Sequence, residues 1–279
     1  MIMHGEDWLR MLTPGIESRL GRIRHALFDF DGTVSVMREG WEGVMLPVML
    51  ASICGTQPVQ PEIEAEVREY IDHSTGTLTI QQMEWLAQAV RRYGMVKNPL
   101  TAAQYKAVYL ERLMVRVRDR IDSVKQGKVK PEEMMLAGAA DFIKGLWSRG
   151  VILYLASGTD HQDMLNEATV LGMAPYFTGG IYGALDQSEA NGKERVIQRI
   201  LDEHHLAGDE LLVVGDGPVE IREAKARGAI SLGVASDEIA RSGWNQHKVQ
   251  RLARAGVDLI VPDFTHGEDL LGLFVSPLG

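Results

Sequence analysis

The feature that most limits what this chain can fold into is a rhythm. Short, mostly apolar runs end abruptly at small or acidic residues, and amphipathic stretches fill the intervals between them. His25-Ala-Leu-Phe-Asp-Phe30 is the first such run, and it stops at Gly32. Similar runs recur at Val151–Ala156, Leu211–Val214, Ile230–Ala235 and Leu259–Val261. Each has the length of a buried strand and is too short for a helix. Helical periodicity occupies Ala139–Arg149, Asp160–Leu171, Lys193–His204, Val219–Arg227 and Asn245–Ala255. Strands alternating with amphipathic helices predict a parallel sheet covered on both faces. The expected class is α/β, with a Rossmann-like, doubly wound parallel sheet as its core.

One region breaks the rhythm. From residue 34 to about 135 the pattern is helical throughout, over Trp41–Ile53, Pro61–His73, Thr79–Tyr93 and Ala102–Val124. The last carries Leu110, Leu113, Met114, Val117, Ile121 and Val124 as an apolar stripe. Gly55, Pro58, Gly76, Asn98-Pro99, Gly127 and Pro131 punctuate these pieces. The expectation is an all-helical cap domain over residues 34–134, inserted into a core made of 1–33 and 135–279. The insert follows the first strand at its carboxyl end, where open α/β sheets bind ligands.

Composition narrows the function. The 29 basic and 38 acidic residues leave a formal charge of −9, the wrong sign for a protein that neutralises nucleic-acid phosphates. A lone Cys54 excludes an internal disulfide framework and any Cys-based zinc cluster. No apolar run approaches the roughly 18 residues that a membrane span needs. The opening Met-Ile-Met-His-Gly-Glu-Asp lacks the order of a secretory signal. A cytoplasmic enzyme that binds neither nucleic acid nor membrane is expected.

Four small motifs sit where predicted strands end. Asp29 and Asp31 are two apart, so on an extended chain both carboxylates project to one side. Such a pair suits a divalent cation or a nucleophile with an acid/base partner, although Asp-Gly is also ordinary turn chemistry. Ser157-Gly158-Thr159 offers hydroxyl and backbone donors to a phosphate, or simply caps the next helix. Asn191-Gly192-Lys193 puts a cation at a helix start, where it opposes the dipole unless an anion is bound; a lone lysine is equally a solvated one. Gly215-Asp216 is followed one helical turn later by Glu220. Both carboxylates can address one cation, or Glu220 merely favours the helix dipole.

Taken in this order, the four motifs resemble those of the haloacid dehalogenase superfamily: Asp29-Phe30-Asp31-Gly32-Thr33, Ser157, Lys193 and Gly215-Asp216. The position of the helical insert is similar to that in capped phosphatases of the phosphoglycolate phosphatase and β-phosphoglucomutase kind. The resemblance implies phosphoryl transfer through an aspartyl-phosphate. Asp29 would be the nucleophile, ionised at neutral pH if its pKa is ordinary, and Asp31 the general acid and base. Ser157, Gly158 and Lys193 would hold the phosphoryl oxygens. Mg²⁺ would bind Asp29, the backbone carbonyl of Asp31, and Asp216. Glu220 stands where the family usually has Asp, so it is expected near the metal or its waters, or paired with Lys193.

The same resemblance sorts the family's activities. Dehalogenating members lack an acid at the position of Asp31. Phosphonate-cleaving members use an early cap lysine, whereas this chain has none before Lys97. Hydrolysis of a small phosphorylated metabolite, such as a sugar phosphate, is therefore expected, with a phosphomutase or a catalytically silent binding protein as alternatives. On the cap, Arg38 and the loop Thr75-Gly76-Thr77 are candidates for substrate contact; a solvated arginine and a plain interhelical turn are the other readings. Arg112, Arg116 and Arg120 form a stripe expected to be a solvated face rather than a funnel for anions.

Overall fold

A computed structural model describes residues 8–184 and 192–275. The opening heptapeptide and Asn191 lie outside the described residues. Among the described residues seven strands form one sheet: β1 (Arg10–Met11), β2 (His25–Phe28), β3 (Ile152–Asp160), β4 (Gly180–Ala184), β5 (Leu211–Gly215), β6 (Ile230–Val234) and β7 (Leu259–Val261). Their spatial order is β1-β7-β6-β5-β2-β3-β4. Every pairing is parallel except that of the two-residue β1 with β7. From β2 the chain steps outward to β3 and β4, then crosses back to β5 on the other flank of β2. The carboxyl end of β2 is thus the topological switch point, where an open α/β sheet leaves a crevice.

Alternation along the strands builds two cores. Ala26 and Phe28, Leu153 and Leu155, and Leu212 and Val214 face one layer. Leu27, Tyr154 and Ala156, and Leu211 and Val213 face the other. The first layer is covered by α5 (Ala139–Ser148), α6 (His161–Val170) and α10 (Gly267–Phe274), with Phe28, Phe142 and Phe264 in ring contact. The second is covered by α7 (Lys193–Glu203) and α8 (Pro218–Ala226), and α9 (Gln246–Ala255) extends it. Strands buried on both faces read as unbroken apolar runs, which is why their periodicity is invisible in sequence.

Between β2 and β3 the insert holds α1 (Trp41–Cys54), α2 (Pro61–His73), α3 (Thr79–Tyr93) and α4 (Ala102–Lys125). Pro61 occupies the first position of α2, where its missing N–H costs nothing. Thr101 and Gln104 close a reciprocal capping box at the start of α4. Arg112 and Arg116 are exposed. Arg120 turns inward, its Nη1 donating to the carbonyls of Val36, Met37 and Glu39 and its Nη2 to the Glu39 carboxylate. It clamps the segment leaving β2 onto α4. Among the described residues no helix is long and apolar enough to cross a membrane.

At the opposite end of the sheet, His25 on β2 is buried, with Nδ1 3.0 Å from the Tyr154 hydroxyl, which lies 2.9 Å from His204 Nε2. Burial first, then the neighbouring His204 and Arg24, lowers the His25 pKa to about 4. The folded protein therefore keeps His25 neutral while the unfolded chain protonates it near the ordinary 6.5. Between those values the unfolded state binds more protons, so stability falls as pH drops through the window. The expected result is a melting temperature that declines from pH 6.5 towards 4.5, with a shallower decline in His25→Gln. Parallel melting curves against pH for both proteins would refute this assignment.

Candidate functional site

The switch point collects the motifs. Asp29 and Asp31 leave β2, Ser157, Gly158 and Thr159 lie in the last part of β3, Lys193 opens α7, and Asp216 follows β5. Glu220 sits in the first turn of α8. Ser157 does not cap a helix. The strand runs on to Asp160 through a register shift after Ala156, and α6 starts only at His161. That irregularity turns two hydroxyls towards Asp31: Ser157 Oγ donates to Oδ2 at 3.0 Å and Thr159 Oγ1 at 2.9 Å. The other carboxylate oxygen, Asp31 Oδ1, is buried and has no hydrogen-bond partner among the described residues.

Asp29, Asp216 and Glu220 are all buried, and each brings a carboxylate oxygen within 4.8 Å of the others. Lys193 Nζ lies 2.7 Å from Asp29 Oδ1 and 2.9 Å from Glu220 Oε2. Burial alone would lower the lysine's pKa, but Asp29 and Glu220 outweigh it and hold the ammonium above its ordinary value. Asp29 behaves in the opposite way to an ordinary aspartate. Burial pushes its carboxyl well up, Lys193 opposes the shift, and repulsion from Glu220 and Asp216 adds to it. The expectation of an unperturbed nucleophile is thus corrected: without further positive charge this site disfavours an ionised Asp29. An all-carboxylate donor set fits a hard, oxygen-seeking cation such as Mg²⁺. Glu220 pairs with Lys193 and lies in the same carboxylate cluster, and its Oε1 accepts from the Gly217 amide at 2.8 Å.

The insert reaches into the same place. The site encloses a cavity of about 70 Å³, lined from the core by Asp29, Asp31, Ser157, Gly158, Thr159 and Asp216 and from the insert side by Arg38, Thr75, Gly76 and Thr77. Gly76 has φ +92°, and a methyl there would lie 2.5 Å from Glu220 Oε2 and 3.2 Å from Lys193 Nζ. A methyl on Gly158 would lie 2.2 Å from the Thr77 carbonyl oxygen. Two glycines therefore permit the backbone approach. The threonine hydroxyl protons are spent locally. Thr75 Oγ1 donates to the Ile71 carbonyl of α2 and accepts from Arg251 Nη1, and Thr77 Oγ1 donates to the Ser74 carbonyl. Arg38 is buried rather than solvated, with Nε and Nη2 donating to Glu167 on α6 at 2.6–3.3 Å.

Three participants escaped the sequence reading. Thr159 was quoted within its motif but given no role. Lys248 and Arg251, on one face of α9, reach Asp216. Lys248 Nζ lies 2.7 Å from Asp216 Oδ2 and 2.6 Å from Glu238 Oε1. Arg251 Nη2 donates to the Asp216 carbonyl, while its Nη1 meets Thr75 Oγ1 at 3.2 Å and Asp72 at 3.3 Å. These two cations, more than enough to offset its own burial, hold Asp216 below the usual carboxylate range. Their only signal in sequence is an i, i+3 pair beside the apolar Leu252 on the buried side of a helix, where lysine and arginine are rare unless paired.

Comparison with known proteins agrees with this architecture. The model of the haloacid dehalogenase-like hydrolases matches residues 23–228, most of the chain, and the protein belongs to that family. A structure from Clostridium acetobutylicum, described as a predicted phosphatase, is 18% identical and aligns over 90% of this chain and 99% of its own with a TM-score of 0.57. The β-phosphoglucomutase of Clostridium difficile is 13% identical over 88% and 92% with a TM-score of 0.58. A predicted phosphoglycolate phosphatase from Haemophilus somnus is 16% identical over 89% and 98% with a TM-score of 0.56. At such identities the likeness is one of fold. No curated protein matches the sequence.

Proposed function

We propose that the protein is a Mg²⁺-dependent phosphomonoesterase that hydrolyses a small phosphorylated metabolite through an aspartyl-phosphate on Asp29. The observation that carries this reading is the juxtaposition of Asp29, Asp216, Glu220 and Lys193 with an Asp31 whose Oδ1 makes no hydrogen bond to the described residues. Asp29, Asp216 and the backbone carbonyl of Asp31 would hold the cation, with Glu220 beside it. When bound, Mg²⁺ supplies the positive charge that keeps Asp29 ionised and screens it from the phosphoryl oxygens.

Asp29 attacks phosphorus as the bond to the leaving oxygen breaks, and Asp31 gives that oxygen its proton. Ser157 and Thr159 fix one Asp31 oxygen and leave the other free to carry a proton. Asp31 then takes a proton from water as the water attacks phosphorus. The Asp29–phosphorus bond breaks, releasing inorganic phosphate. Lys193 and the backbone at Gly158 hold the phosphoryl oxygens and absorb developing charge. Ser157 has a single hydroxyl proton and joins them by releasing Asp31, which Thr159 still holds. Residues 34–134 serve as a cap over a core of 1–33 and 135–279. A 70 Å³ cavity has room for only a few waters, so the cap opens to admit substrate and closes to exclude bulk water.

Phosphate release from an aryl phosphate tests the reading. Activity is expected with Mg²⁺, to be lost in excess chelator, and to be inhibited by Ca²⁺, whose larger and looser shell misplaces nucleophile and phosphorus. Full activity in chelator would overturn the metal requirement. Turnover that needed a bisphosphate activator would identify a phosphomutase instead.

A further inference from the structure

Arg38 is the one cationic side chain among the described residues lining the cavity. It lines the same cavity as Asp29, together with Trp41, Tyr109, Leu113 and Gln82. Elsewhere such an arginine would receive a substrate carboxylate or second phosphate. Here it is already committed. Nη2 lies 2.6 Å from Glu167 Oε1, and Nε lies 3.1 and 3.3 Å from the two Glu167 oxygens. Asp163 Oδ2 is 3.7 Å from Nη2, and Asp31 Oδ1 is 3.8 Å from Nε. One guanidinium thus answers three carboxylates. Glu167 is fully buried on α6, and burial pushes its carboxyl pKa up to about 7 even with Arg38 beside it. Drawing Arg38 away would therefore break three contacts and force Glu167 to take up a proton.

We infer that the site selects a phosphomonoester whose non-reacting part is uncharged, and that Glu167, which does not itself line the cavity, is the specificity-determining residue. The inference rests on the phosphomonoesterase reading. Within that reading it says where the charge discrimination comes from. The three lining carboxylates repel a second anion, and the one lining cation among the described residues is neutralised from behind, while Lys193 is held by Asp29 and Glu220. Apolar bodies and an amide remain to contact the tail, which suits a polyol or similar neutral group. A bisphosphate, with its second phosphoryl in the same place, is disfavoured on the same ground.

Two esters of similar size separate the possibilities: glycerol 3-phosphate, with an uncharged tail, and 3-phosphoglycerate, with a carboxylate tail. Both are assayed for kcat/KM with Mg²⁺, and both for Kd on the inert Asp29→Asn protein. The wild-type ratio should favour glycerol 3-phosphate by about tenfold or more, the size of one charge-assisted contact. Glu167→Gln should shrink that ratio about tenfold, mainly by improving 3-phosphoglycerate. A wild-type ratio near one, or an equal loss on both esters in Glu167→Gln, overturns the inference. Should Glu167→Gln fail to fold, the wild-type ratio decides alone. If the wild type hydrolyses neither ester but Asp29→Asn still prefers glycerol 3-phosphate, charge selection stands and the hydrolase reading falls. Equal affinity for both overturns the inference even if both are hydrolysed, and binding of neither overturns both.

Discussion

Asp29→Asn is expected to reduce phosphate release to less than about a hundredth of the wild-type rate, since nucleophile losses in covalent mechanisms cost at least that much. The change is isosteric, and the fold should tolerate it. Lys193 keeps its second partner, Glu220, at 2.9 Å, so no buried ammonium is orphaned. The side chain at position 29 also sits in surroundings that already disfavour its charged form. Quenched-flow mass measurement should show a phosphoryl adduct on the wild type and none on the variant. A variant that kept a tenth of the activity, with the same melting temperature, would rule out a covalent Asp29 intermediate.

Lys193→Met has the second largest expected effect, and it acts on stability and activity together. Methionine roughly preserves the volume of the lysine stem but removes the ammonium that faces Asp29 at 2.7 Å and Glu220 at 2.9 Å. Both carboxylates are buried and would lose their shared counter-ion, a situation that costs up to about 3–5 kcal/mol. Losing a donor to the transferring phosphoryl group should lower kcat by roughly 100-fold or more. Mg²⁺ should restore part of the stability but not the rate, because a cation among the same carboxylates relieves repulsion without replacing the donor. Denaturant melts with and without Mg²⁺ provide the measurement. A stability loss below about 1 kcal/mol in its absence would show that the lysine is not the counter-ion of this cluster.

Much of the fold was legible because its signals are local. Helices α2 and α3 were read with their observed ends, since Pro61, the period of apolar residues and Gly94 act on their own neighbours. Apolar runs ending at Asp or Gly announced β2 and β5, and runs of the same kind announced β3, β6 and β7. Two strands escaped. β1 has only two residues, and β4 is Gly-Ile-Tyr-Gly-Ala, whose glycines mimic a loop and whose partly exposed side chains break the buried-strand pattern. Helix α10 was likewise missed: eight residues carry too few periods to distinguish a helix from a loop.

The candidate site divides along the same line. Sequence alone determined which residue types stand at the strand ends, and the order of Asp29, Asp31, Ser157, Lys193 and Asp216 was enough to expect a phosphoryl-transfer site. It also determined that a helical insert interrupts the sheet directly after the first of these motifs. What each side chain faces was decided by tertiary structure. Arg38 could be read as solvated or substrate-facing until α6 brought Glu167 against it from 129 residues away. Thr75 and Thr77 offered hydroxyls whose protons nearby carbonyls turn out to claim. Lys248 and Arg251 joined Asp216 only because α9 packs beside β6 and α8. The physical reason is one of range. Propensity, capping and periodicity act within a turn or two of chain, whereas burial and charge pairing depend on which distant segments share one dry volume.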